Sequence, residues 1–252
     1  MRDLAILVPS RGRPKSVTRL TEACKDTCGL DYQLCWAFDE DDPHLTENLE
    51  RANWTARPYT WTAPRKGLAE WTNIMWRELE GEFRWYASIG DDHVPLTHGW
   101  DKQLCGVLDQ KGGGFSYCWN GHEQDIPNYP EMCVVSGEIL SGLGWFAEPS
   151  MAHYCIDVVW RDLGDAANCL YYLPDVTLEH RHWAFPGPNA GARDDTYWDE
   201  AESGRQDVQA HTTWKTERMA ADVAKVLAAL DKIRAGGQRD ATEQPVRPAG
   251  RG

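Results

Sequence analysis

The sequence predicts an α/β fold in which an open sheet is covered by helices on both faces. Apolar runs of strand length recur at 4–9, 32–38 and 85–89. They are continuous rather than alternating, as strands buried on both sides require. Segments of helical period separate them, which gives the βαβ alternation of a parallel sheet. Each strand also ends in a charged loop, at the sheet edge where open α/β folds bind ligands.

Composition bounds the reading. The chain has 252 residues, 42% hydrophobic and 26% charged, values of one ordinary globular domain with appendages. The net charge of −13 argues against a generic binder of phosphate backbones. No run of eighteen apolar residues occurs and the N-terminus leads straight into a strand, so neither membrane span nor signal peptide is expected and the location reads as cytoplasmic. The eight cysteines form no CxxC pair and are expected as free, mostly buried thiols. Thirteen tryptophans divide between the core and faces that stack on sugars or bases.

The first strand, 4–9, ends in Ser-Arg-Gly-Arg-Pro, and Pro14 opens a helix to about Cys28. Amides of that helix start, with Arg11 or Arg13, would make an anion site. The second strand, 32–38, runs into four acids at 39–42, either a solvated loop or, as in βαβ nucleotide sites, an acceptor for ribose hydroxyls or base edges. A third strand at 59–62 is followed by Arg65 and Lys66 and then a helix over 68–79, with Leu68, Trp71, Met75 and Leu79 at helical spacing. The strand at 85–89 is released by Gly90 into Asp91, Asp92 and His93, with a helix expected near Pro95. Adjacent carboxylates repel unless a cation neutralises them, and their oxygens suit Mg²⁺ or Mn²⁺ shared with a substrate phosphate. Four successive strand ends thus carry arginines, acids, an Arg-Lys pair and paired carboxylates, the groups that a nucleoside diphosphate and its metal need.

The motifs Val-Pro-Ser-Arg-Gly-Arg-Pro, Phe-Asp-Glu-Asp-Asp-Pro and Ile-Gly-Asp-Asp-His-Val-Pro resemble those of GT-A fold glycosyltransferases, in particular the small family 2-like enzymes of bacteria and their phages. The resemblance covers about residues 3–200, with the central acids standing as a shortened DxD-type element. It implies a Rossmann-like, doubly wound mixed sheet flanked by helices, in a single domain over 1–200. It also implies Mn²⁺ or Mg²⁺, and a UDP-sugar or other nucleotide-diphosphate sugar as donor. Pro9, Ser10, Arg11, Asp39, Asp41, Arg65, Lys66 and Asp91 would meet that donor, and Asp91 and Asp92 the metal. Whether His93 joins the metal shell is left open by the Asp-Asp-His form.

In the second half a turn at 111–114 precedes a short strand at 115–119, and a loop at 121–130 could reach an acceptor. Residues 134–137 lead into a Gly-rich apolar passage at 140–145. A helix is expected over 154–164 with Gly164 as its C-cap. Asp157, in its first turn, matches half of the family's Glu-Asp element, which implies a base for the acceptor hydroxyl and inversion at the sugar. A strand at 176–182 places Leu178, His180 and His182 on one face. Imidazole accepts Mn²⁺ as well as Zn²⁺, which makes His180 the first choice of metal ligand and His182 the second. The loop at 186–192 would close as a lid, with Arg193 as a phosphate contact. An amphipathic helix over 219–233, within an extension at 201–235, either packs on the domain or pairs two subunits; residues 236–252 read as a flexible tail.

The expected activity is metal-dependent transfer of a sugar to an acceptor hydroxyl on a protein, a glycan or a modified nucleic acid. A nucleotidyltransferase of similar topology, or a non-catalytic sugar- or nucleotide-binding protein, is the alternative.

Overall fold

In the computed structural model the described residues are 2–52, 59–122, 129–184, 189–191 and 203–242. The first half alternates strand and helix: β1 (Arg2–Ser10), α1 (Pro14–Thr27), β2 (Tyr32–Asp39), α2 (Leu45–Ala52), β3 (Tyr59–Ala63), α3 (Leu68–Glu78) and β4 (Phe83–Ser88). Then come β5 (His93–Pro95), α4 (Trp100–Lys111), β6 (Phe115–Trp119), β7 (Cys133–Ser136), α5 (Gly137–Leu143), α6 (Ile156–Ala166) and β8 (Leu170–His180). Two helices follow, α7 (Ser203–Glu217) and α8 (Met219–Thr242).

The sheet has the order β3-β2-β1-β4-β7-β6-β8-β5. β1 to β4 are mutually parallel, β7 is antiparallel to both its neighbours, and β5 is antiparallel to β8, so the sheet is mixed. Alternation along β1 explains its continuous apolar run. Ala5 and Leu7 join the core under α3, α5 and α6, whereas Leu4, Ile6 and Val8 join the core under α1 and α4. β2 divides in the same way, with Cys35 and Ala37 on one side and Leu34, Trp36 and Phe38 on the other. Two helical layers thus exclude water from both faces, the main stabilising term in such a fold.

Several boundaries differ from expectation. The helix placed near Pro95 begins at Trp100, because residues 93–95 pair with β8 instead. Gly164 lies inside α6 rather than capping it; a Cβ there would stand 2.8 Å from Leu170 Cβ, so glycine lets α6 approach β8. β8 starts at Leu170 and ends at His180, leaving His182 beyond the strand. α8 continues to Thr242, past the start expected for the tail; residues 243–252 lie outside the described residues.

The C-terminal helices belong to the main core. Trp214, Val226 and Leu230 are fully buried in the cluster under α5 and α6, so the apolar face of α8 packs on its own domain, while Leu227 stays exposed. Trp36, Trp76, Trp100 and Trp214 are fully buried, and all eight cysteines are free. No helix among the described residues is long and apolar enough to cross a membrane.

Candidate active site

The chain leaves β1 toward β2 and β3, then returns to β4 on the other side, so the carboxyl ends of β1 and β4 part around a crevice. Ser10, the last residue of β1, donates its hydroxyl to Asp91 Oδ2 at 2.6 Å, and Arg13 Nη1 donates to Asp91 Oδ1 at 2.9 Å. Both oxygens of Asp91 are therefore engaged within the protein. Asp91, expected as a metal ligand and nucleotide contact, lines the cleft and ties the loop after β1 to the loop after β4. Burial, with the charge of Asp92 adding to it, raises its carboxyl above the ordinary range against the pull of Arg13.

Asp92 faces the cleft. Its Oδ2 lies 3.4 Å from His180 Nε2 and its Oδ1 3.4 Å from His93 Nδ1. Gly90 makes room for this cluster, since a Cβ there would stand 2.6 Å from Asp92 Oδ1 and 3.0 Å from His93 Nδ1. Strand register brings the two histidines together: His93 is the partner of His180 across β5 and β8, and their rings stack at 4.2 Å and 12°. On its far side His180 Nδ1 is 2.8 Å from Glu131 Oε2, which also accepts from Asn120 Nδ2 at 3.0 Å. Burial alone would lower His180, but Asp92 and Glu131 outweigh it and push its pKa up to about 10. Burial would raise Asp92, yet the His180 imidazole holds it well below the usual carboxylate range. Burial also lowers His93.

These three residues fit a divalent cation. One ligand atom from each of Asp92, His93 and His180 lies within 4.8 Å of the others. His93 is 3% exposed; its Nδ1 has only the 3.4 Å contact with Asp92 Oδ1, and its Nε2 has no hydrogen-bond partner among the described residues. A buried polar group without a partner is rare enough to need a reason, and a bound ion supplies one. His182, the second choice from sequence, sits with its ring 5.3 Å from that of His180 and lines the cleft without joining the three.

The cleft encloses about 600 Å³, and among the described residues every expected site residue except Asp41 lines it. Asp41 is solvent-exposed and pairs with Arg11 Nη1 at 2.6 Å, which places it outside the cleft wall. Asp39 is 4% exposed and accepts three donors: Lys66 N at 3.1 Å, Trp71 Nε1 at 2.8 Å and Arg11 Nη1 at 3.1 Å. It thereby joins the ends of β1, β2 and the start of α3. Arg11 is held by two carboxylates and lines the cleft with Arg65, Lys66 and the first residues of α3, where Gly67 gives no side-chain cap and Ala69 N donates to Ala152 O at 3.1 Å.

The opposite wall comes from residues 152–157. Asp207 of α7 accepts the backbone N–H groups of Ala152, His153 and Tyr154 at 2.8, 2.9 and 2.7 Å. Asp157, in the first turn of α6, accepts from Val158 N at 2.8 Å and lines the cleft, and burial raises its carboxyl. The lid residues 186–188 and 192, with Arg193, lie outside the described residues, as does 123–128 of the expected acceptor loop. Glu131, Trp71 and Asp207 are site-building residues that carry no motif.

No protein-family model matches the sequence, and no curated protein matches it. Solved structures do match in shape. Residues 1–349 of S. aureus TarS are 12% identical with a TM-score of 0.57, covering 98% of this chain and 76% of that one. A mannosyltransferase of Pyrobaculum calidifontis, solved with GDP-Man and Mn²⁺, is 12% identical with a TM-score of 0.60, covering 97% and 84%. The glucosyl-3-phosphoglycerate synthase of Mycobacterium tuberculosis, solved with Mn²⁺, UDP and phosphoglyceric acid, is 14% identical with a TM-score of 0.54, covering 84% and 78%. At such identities the likeness speaks for the architecture.

Proposed function

From its GT-A fold as premise, we propose that this chain is a divalent-cation-dependent glycosyltransferase, moving a sugar from a nucleoside-diphosphate donor to an acceptor hydroxyl. One observation carries the reading: Asp92, His93 and His180 meet in a cleft whose neighbouring wall holds Arg65, Lys66 and the buried carboxylate of Asp39. The names of the similar structures support it, since the mannosyltransferase holds GDP-Man and Mn²⁺, and TarS was also solved with UDP-GlcNAc.

Asp92, His93 and His180 would hold the cation, which supplies charge neutralisation for the departing diphosphate. Arg65 and Lys66 add positive charge on the same side. Asp39, fixed by Lys66 N and Trp71 Nε1, presents a preset acceptor edge to the nucleoside. Asp157 stands as the general base: burial makes its carboxylate more basic, and a base on the wall opposite the diphosphate favours inversion. The acceptor is a hydroxyl of a protein, a glycan or a modified nucleic acid.

The test is a panel of nucleotide sugars incubated with Mn²⁺ or Mg²⁺ and analysed by chromatography. Nucleoside diphosphate release that requires the cation is expected. Pyrophosphate release from a triphosphate, or release indifferent to chelator, overturns the reading. Asp92→Ala should lower the rate by at least about 100-fold with a nearly unchanged melting temperature.

A further inference from the structure

We propose that the acceptor is an uncharged sugar whose apolar ring face lies on the side chain of Tyr154, and that phosphate-bearing acceptors, nucleic acids among them, are turned away. The inference rests on the transferase reading above and names the acceptor class for it.

Two observations meet at residues 152–157, the wall from which Asp157 enters the cleft. The first is the state of Tyr154, which is 39% exposed and lines the cleft in the same stretch as Asp157. Its ring is nevertheless fixed. The Tyr154 N–H donates to Asp207 Oδ2 at 2.7 Å, and the ring meets that of His153 edge-on at 5.0 Å and 72°. A Cβ on Gly204 would stand 3.4 Å from Tyr154 Cδ2 and Cε2, so the start of α7 also rests against the ring. A tyrosine held in this way offers a large amphipathic face to a ligand with little further loss of side-chain freedom. Pyranose rings carry C–H groups on their faces and hydroxyls around the rim. That shape suits an aromatic face beside a carboxylate: the C–H groups lie on Tyr154 while a rim hydroxyl reaches Asp157.

The second observation is charge. Glu131 also lines the cleft, close enough to Asp157 for its charge to help raise that carboxyl. Arg161, whose guanidinium lies over the Tyr129 ring at 5.1 Å, is bound to Asp162 at 3.0 Å. On the donor side Arg11 is paired with Asp39 and Asp41, Arg13 with Asp91 and Lys66 with Glu70. A phosphate on the acceptor would therefore meet two carboxylates of its own sign in a partly desolvated cleft, an arrangement that selects against it. The net charge of −13 opposes a polyanion at longer range as well.

The experiment applies saturation-transfer NMR to the full chain. Lactose, cellobiose and N,N′-diacetylchitobiose are the uncharged probes; lactose 6-phosphate, cellobiose 6-phosphate and a short oligothymidylate are the charged ones. Each is titrated alone and again with MnCl₂ and UDP. Saturable binding of at least one disaccharide below about 10 mM is expected, with the phosphate-bearing probes at least about 10-fold weaker. Tyr154→Ala should weaken the disaccharide at least about 5-fold, whereas Tyr154→Phe, which keeps the ring, stays within about 2-fold. No saturable disaccharide binding in either condition, equal or tighter binding of a phosphate-bearing probe, binding that survives Tyr154→Ala, or a loss in Tyr154→Phe as large as in Tyr154→Ala overturns the proposal. Binding is scored without turnover, so the two readings fail separately. Any of those results beside cation-dependent diphosphate release strikes the acceptor class alone, and the expected binding without such release strikes the transfer alone.

Discussion

Replacing Asp207 by asparagine tests whether α7 builds the cleft wall or merely covers it. The carboxylate is 2% exposed and accepts three backbone N–H groups, from Ala152 on Oδ1 and from His153 and Tyr154 on Oδ2. Each charge-assisted bond contributes roughly 2 kcal/mol and a neutral one roughly 1 kcal/mol. Asparagine keeps one oxygen, which can retain two bonds as neutral ones, and turns an NH₂ toward the third donor. Two bonds weakened by about 1 kcal/mol and one of about 2 kcal/mol lost give a penalty of about 4 kcal/mol. For a chain of this size that lowers the melting temperature by about 8–16 °C. Calorimetry reads the shift, with Asp175→Asn on an exposed stretch of β8 as control. Nucleotide affinity, measured at a temperature where the variant remains folded, should also fall, since His153 and Tyr154 line the cleft. A melt within about 2 °C of the parent would refute the assignment, because thermal scans readily resolve a loss of 1 kcal/mol.

Two further outcomes follow from packing and charge. Gly67→Ala places a Cβ 2.6 Å from the carbonyl oxygen of Ala152, so α3 must move off the 152–154 loop; a loss of about 1–3 kcal/mol is expected in urea unfolding, and an unchanged midpoint would contradict the close approach. Asp162 receives Arg161 Nη2, His211 Nε2 and Lys215 Nζ at 3.0, 3.0 and 2.7 Å. Burial would raise its carboxyl, but those partners outweigh burial and hold it below the ordinary range. The unfolded chain therefore takes up the proton first: the stabilisation is complete above the unfolded carboxyl's pKa of about 4 and fades as pH drops through the lower folded value. Asp162→Asn should accordingly melt below the parent at neutral pH, the gap narrowing in acid; a gap that is constant with pH would exclude the ionic origin.

The parallel half of the sheet was legible because β1, β2 and β4 are buried on both faces and read as unbroken apolar runs. The first part of β8 was not, since Pro174 and Asp175 interrupt it beside a bulge between Cys118 and Trp119, where the ladder tolerates a residue without an N–H. α7 buries little more than Asp207 and Trp214 among polar neighbours, too few positions to show a helical period. At the site, residue types pointed to the cleft, but not to which of two adjacent aspartates has its carboxylate tied to the loop after β1 and which meets the histidines. That choice depends on Ser10 and Arg13, some eighty residues earlier, capturing Asp91. The partnership of His93 with His180 rests on the register of a three-residue strand, which no local pattern announces.

The place of α7 and α8 in the core has a bearing on biosynthesis. A ribosome delivers the chain from its N-terminus, so every strand of the sheet has emerged before Trp214, Val226 and Leu230 exist to cover the apolar groups behind α5 and α6. During that interval the nascent protein carries a greasy, uncapped flank and an unpinned loop at residues 152–154. Chains cut short by a premature stop after β8 would keep both, and would be substrates for chaperones and proteases rather than weakened enzymes.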